Sequence, residues 1–179
     1  MLGVVAVAAS ITPVGIVGCG GDDDDSELAT FDRDSFPFTF EYPDGFEFTE
    51  DVRLSQTLGG GADESVGIAM NGDNGLFIQR YTLNVEVNQA NLGVVKQEAD
   101  GLFQQVDPDA QGAEGEIAGF PSLTYDAVTV TTPEDGESRL IVLFEGDQEY
   151  LINCQSTPDG RDEIEQACDL AVDTLARRS

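Results

Sequence analysis

The sequence predicts an α+β domain, on three observations. Apolar and polar residues alternate over several short runs, each closed by a turn rich in Gly, Pro, Asn or Asp. Two longer segments change to a helical period. No internal repeat and no second hydrophobic block interrupts them in a chain of 179 residues, so a single domain is expected.

The first strand is Phe36–Tyr42, where Phe36, Phe38, Phe40 and Tyr42 alternate with Pro37, Thr39 and Glu41. A period of two with one aromatic face describes a half-buried strand, its ring stripe belonging to the core. Pro43-Asp44-Gly45 is expected to turn the chain, with Gly45 at positive φ, into a second strand from Phe46 and Phe48 toward Leu54. Residues 55–65 read as a loop. Its three glycines lack the Lys and Ser/Thr of a phosphate loop. Asn71-Gly72-Asp73-Asn74-Gly75 lies between the apolar runs Val66–Met70 and Leu76–Ile78 and predicts a hairpin whose second strand continues through Val85.

Residues 89–107 follow a helical period. Leu92, Val95, Ala99, Leu102, Phe103 and Val106 form one stripe, with Asn91 as N-cap and Pro108 as stop. Gln97, Glu98, Asp100 and Gln104 are expected on a solvated face. Residues 109–118 read as a Gly- and acid-rich loop before a strand over Leu123–Val130. A turn at Pro133–Gly136 leads to Leu140–Phe144, five consecutive apolar residues that predict a strand covered on both faces. Gly146-Asp147 is expected to turn the chain into Glu149–Gln155, with Tyr150, Ile152 and Cys154 on one face. The last helix should start at Thr157-Pro158. Asp162 and Glu163 complement its positive end, Ile164, Cys168, Ala171 and Leu175 form its stripe, and Arg177 and Arg178 sit at its negative end.

Charge narrows the function classes. Acidic residues number 35 against 8 basic ones, a formal charge of -27, with Lys96 the single lysine and no His. The Lys/Arg footprint that nucleic-acid phosphates require is missing. Histidine-based nucleophilic catalysis and histidine metal ligation are excluded. No Gly-x-Ser-x-Gly occurs.

The N-terminal region reads as an address. Residues 1–18 are apolar and uncharged, of signal-peptide length, and end in Ile16-Val17-Gly18-Cys19. This resembles the bacterial lipobox, which implies lipidation of Cys19 and cleavage before it. A signal peptide opens with Lys or Arg, yet the first positive charge is Arg33, so the start is expected upstream of Met1. The acidic run Gly20–Glu27 cannot bury apolar surface, and residues 19–30 read as a disordered tether reaching about 35 Å. The domain is then 31–179. Two acyl chains would make the anchoring stable and place the domain on the outer face of the cell membrane.

With Cys19 lipidated, Cys154 and Cys168 remain, each on an apolar face, one of a strand and one of the following helix. Export favours a disulfide between them. Two buried free thiols are the alternative. The spacing is not that of a C-x-x-C redox pair.

The opening Phe36-Pro37-Phe38-Thr39-Phe40-Glu41-Tyr42-Pro43-Asp44-Gly45-Phe46 resembles the first hairpin of PsbP-like domains. So does the order of two hairpins, a mid-chain helix, an apolar hairpin over Leu140–Gln155 and a closing helix, which together cover most of 31–179. The resemblance implies a mostly antiparallel sheet sandwiched between helices. Relatives with that fold include a photosystem accessory protein and a nuclear Ran-binding protein. They share architecture rather than activity, so no site residue transfers. The acidic tether and the preference for Arg over Lys resemble lipoproteins of high-GC bacteria, particularly actinobacteria, and the acidity would also suit a halophile.

These readings converge on a lipid-anchored, non-enzymatic binding or assembly module, with an unknown protein or small-molecule partner and no cofactor. Two alternatives stand beside it. One is a cation-binding domain using loops 71–75 or 159–163. The other is a hydrolase built on carboxylate pairs such as Asp63/Glu64 or Asp162/Glu163.

Overall fold

The computed structural model describes residues 27–50, 52, 61–130 and 135–178. Its elements are β1 Leu28–Asp32, β2 Phe38–Pro43, β3 Glu47–Glu50, β4 Glu64–Ala69, β5 Gly75–Val87, α1 Leu92–Phe103, β6 Ala113–Ile117, β7 Phe120–Val130, β8 Gly136–Ser156, a 3₁₀ turn Pro158–Gly160, α2 Arg161–Asp173 and β9 Ala176–Arg177. All strand pairs are antiparallel. They form a six-stranded sheet in the order β3-β4-β5-β8-β7-β6 and a three-stranded sheet in the order β1-β2-β9.

The aromatic stripe points inward as its alternation requires. Phe36, Phe38, Phe40 and Tyr42 are buried, and Phe31 of β1 joins them, its ring 4.7 Å from that of Phe40. These rings pack with α2 against one face of the large sheet, where Ile68, Leu76, Ile78, Ile141, Leu143 and Ile152 meet them. On the other face α1 covers a second core of Leu123, Tyr125, Leu140, Val142 and Phe144. The five-residue apolar run is therefore divided between two cores, which explains why it lacks alternation.

β8 is one strand of 21 residues, not two strands joined at Gly146-Asp147. Gly146 takes φ +62°, and the strand bends there without leaving the sheet. Its first half pairs with β7 and its second with β5. The bend also reverses the face of each side chain. Before it, Leu140, Val142 and Phe144 face α1; beyond it, Tyr150, Ile152 and Cys154 face α2. Cys154 comes to lie beneath α2 through this change of parity.

Several local expectations change. The first strand of the described residues, β1, starts inside the segment assigned to the tether and pairs with β2 in register Phe31↔Phe40. Residues 1–26 and 53–60 lie outside the described part, and with them Cys19, the acidic run and two of the three adjacent glycines. β2 and β3 form no hairpin; they belong to different sheets. The turn between them is closed by the Phe46 N–H donating to the Pro43 carbonyl at 3.1 Å, and Gly45 is not at positive φ. The loop expected over 109–118 contains the edge strand β6. Its residues are almost all exposed, so no hydrophobic alternation announces it. Arg177 and Arg178 extend past α2 and cross to β2, Arg177 pairing with Phe38 in register.

Candidate functional site

Cys154 of β8 and Cys168 of α2 are joined by a disulfide, with Cα atoms 6.0 Å apart. Both residues are buried, and they form one wall of a cavity of about 230 Å³ beside α2. The opposite wall is made where β7 meets the start of β8. There the register slips between Tyr125 and Val128, and Ala127 takes φ +52°. A bulge of this kind re-aims side chains next to it. Ser138, opposite Val128, is 1% exposed, and its Oγ has no hydrogen-bond partner among the described residues. Ile164 and Ser156 also line the cavity.

Its rim is charged. Arg139 pairs with Asp126 at 3.3 Å and with Asp169 at 2.5 Å, bridging the bulge to α2. Glu137 pairs with Arg161 at 3.1 Å, and Glu165 completes the rim with no ion-pair partner among the described residues. A second hollow of about 450 Å³, around Phe36, Pro37 and Tyr150, is wide open to solvent. Its charged groups serve each other: Arg178 holds Asp32 at 2.8 Å and Asp34 at 2.7 Å.

The face under α1 holds a polar cluster. Asp100, expected on a solvated face, turns inward. Its Oδ1 accepts from the Tyr125 hydroxyl and the Gly112 N–H, both at 2.9 Å, and its Oδ2 accepts from Lys96 Nζ at 2.6 Å. Burial opposes its charge, but the Lys96, Gly112 and Tyr125 donors outweigh burial and hold the carboxyl below its ordinary range. Tyr125 is fully buried, and its phenol is pushed far up by burial and by Asp100. Position 112 must be glycine, since a Cβ there would lie 2.6 Å from the Tyr125 ring. Nearby, half-buried Glu149 has its pKa raised by burial. It faces Tyr81 across the strands and has no ion-pair partner among the described residues.

Several of the other sequence candidates have structural roles. Asn71 Oδ1 accepts from the backbone N–H groups of Asp73 and Asn74, each at 3.0 Å, and from Asn74 Nδ2 at 2.9 Å. Asn74 Oδ1 accepts from the Thr157 N–H at 2.7 Å and its hydroxyl at 3.1 Å. Asn71 thus closes the 71–75 loop on itself, and Asn74 ties the β4–β5 hairpin to the segment that leads into α2. Thr157 makes no side-chain cap, and Asn91 stands at the start of α1 without capping it. Asn91 Oδ1 accepts instead from the Asn88 N–H at 2.8 Å. Asp63 accepts from the Thr82 hydroxyl at 2.8 Å, and Glu64 accepts from Ser35 at 2.6 Å beside Arg80. Asp162 and Glu163 are exposed in the first turn of α2. Among the described residues no cluster of three Cys, Asp or Glu side chains could hold a metal ion. The cavity and the Asp100 cluster were both missed in the sequence. Only Tyr125 carried a signal, a phenol on a strand's buried face that needs a partner.

No protein-family model matches the sequence, and no curated protein does. Solved structures do match. The solution structure of cyanobacterial PsbP (CyanoP) from Synechocystis sp. PCC 6803 superposes with a TM-score of 0.55 at 13% identity, over 90% of this chain and 99% of that one. LpqN of Mycobacterium tuberculosis, described as involved in cell envelope biogenesis, superposes with a TM-score of 0.50 at 10% identity, over 88% of each chain. No described helix is long and apolar enough to cross a membrane. At these identities the likeness is one of architecture, and the architecture is that of a PsbP-like α+β domain.

Proposed function

We propose that this protein is an extracytoplasmic lipoprotein whose domain is a non-enzymatic binding or assembly module, tethered through Cys19. The Cys154–Cys168 disulfide carries the reading, because a buried structural disulfide belongs to an oxidising compartment. The Ile16-Val17-Gly18-Cys19 motif supplies the means of reaching that compartment and staying there. The involvement of LpqN in cell envelope biogenesis is compatible with it. The binding role is supported by a domain that offers a walled cavity while the Asp63/Glu64 pair is engaged within the fold. Asp63 and Glu64 are engaged by neighbours, and Glu149, with its raised pKa, faces tyrosines instead of a second carboxylate.

The test is fractionation of cells producing the full chain and its Cys19→Ala variant. The proposal expects the parent in the membrane fraction, accessible to external protease, with a diacylglyceryl adduct on Cys19, and the variant released from the membrane. Cytosolic protein retaining residues 1–18 would overturn it.

A further inference from the structure

We propose that the outer edge of β1 pairs with the β1 of a second copy of this chain, the two strands antiparallel and Thr30 opposite Thr30. This goes beyond the binding-module reading and does not rest on it. The backbone sets the first condition. The Asp44 N–H donates to the Glu27 carbonyl at 3.0 Å, so Glu27 and Asp44 stand at a hydrogen-bonded position of the β1–β2 ladder. Alternation then turns the N–H and C=O groups of Ala29 and Phe31 toward β2, and those of Leu28, Thr30 and Asp32 outward. Pro43, which has no N–H, sits opposite Leu28, at a position where none is needed. Among the described residues no strand takes up the outward groups.

The side chains set the second condition. Edge strands are commonly protected by shortness or by charge. β3 carries Glu47 and Glu50, β6 carries Glu114 and Glu116, and β9 is 2 residues long. β1 has a single charged residue, Asp32, and Arg178 neutralises it at 2.8 Å. Thr30 is exposed and Leu28 is 48% exposed. In a chain of formal charge -27, this is an edge left open to pairing.

The register names the occupant. With Thr30 against its own copy, the outward groups of Leu28 meet those of Asp32, and the pairing is symmetric about a two-fold axis. The same register puts Glu27 of each copy opposite Arg33 of the other, one residue beyond either end of the strand. Opposite charges in cross-strand positions stabilise the pairing. Arg33 already holds Glu50 at 2.8 Å, but that pair is exposed, and the guanidinium has donors for a second carboxylate. A foreign strand would have to bring both signs of charge at this spacing, which the chain itself already has.

The experiment is sedimentation equilibrium of the oxidised full-length protein in density-matched non-ionic detergent, over a concentration series reaching millimolar. Salt is set near physiological strength, where a Debye length of about 8 Å screens the net repulsion between copies more than it weakens contacts at the edge. A reversible dimer is expected. Thr30→Pro removes an outward N–H without touching the β2 ladder and should weaken the dimer about tenfold or more on a retained fold. Glu27→Arg and Arg33→Glu should each weaken it about three- to tenfold. Mixing those two single variants should restore dimers, because each then meets the opposite charge on its partner. A role inside one chain could not be repaired by mixing. A parent that stays monomeric, association indifferent to Thr30→Pro, or no recovery on mixing would overturn the proposal. An edge that takes up only a foreign strand would give the first of these results. None of them bears on the membrane fractionation test.

Discussion

The two faces of the large sheet are held by different physics. The α2 face is apolar and covalently stapled: four buried phenylalanines stack beneath the helix, and a disulfide ties it to β8. The α1 face is held by two well-buried anchors, Leu92 and Phe103, and by a carboxylate cluster around Asp100. Val94 and Leu102 of α1 stay exposed, and Val95 and Ala99 are only partly covered, so the apolar stripe is thin. Burial of apolar area does not depend on pH, whereas a carboxylate cluster does. The α2 face should therefore behave as a fixed platform, and the α1 face as a cover whose attachment can be titrated.

The comparison can be broken most sharply at its apolar side. Phe38→Ala empties the centre of the ring stack and should destabilise the fold by about 3–5 kcal/mol, read by denaturant unfolding. A loss under about 1 kcal/mol would show that the stack is not the centre of stability. The staple comes next. Cys154→Ser with Cys168→Ser opens a loop of 14 residues' separation and should cost about 3 kcal/mol by the loop-closure argument. The same loss should follow when the parent is reduced.

On the α1 side, Asp100→Asn should cost about 1–3 kcal/mol at neutral pH. The sign with pH follows from linkage. The folded-state pKa of Asp100 is depressed, so its contribution is present above the unfolded pKa and disappears as pH falls through the folded one. The parent and Asp100→Asn curves should converge in acid. Glu149→Gln is the smallest and opposite effect. Burial raises the folded pKa of Glu149, so the fold favours its protonated form and loses stability as pH rises past the unfolded value. The amide should raise Tm slightly at neutral pH and leave it unchanged in acid. A fall in Tm at neutral pH would mean that Glu149 has a partner that the amide cannot serve.

The sequence made the α2 side legible and the α1 side much less so. Phe36, Phe38, Phe40 and Tyr42 alternate, and Ile164, Cys168, Ala171 and Leu175 recur at helical spacing, so burial could be read from period alone. The disulfide followed from placing Cys154 and Cys168 on those faces. What stayed hidden depends on tertiary position. β6 carries exposed residues, and its pairing with β7 leaves no periodic trace. Gly146 resembles a turn residue, yet it bends a continuous strand because β5 pairs across it. Asp100 lies on the polar side of its helix by count, and turns inward only because Tyr125 and Gly112 wait there. The cavity arises from a bulge at Ala127 that no local pattern marks.

Hydrogen exchange at backbone amides, followed across a pH series, tests the contrast between the faces most directly. Amides of α2 and the strands beneath it should exchange slowly and together at every pH. Those of α1 should show smaller protection relative to their intrinsic exchange rates, and smaller still once Asp100 is protonated. Equal protection of the two helices, with no separate acid-dependent opening of α1, would contradict the account.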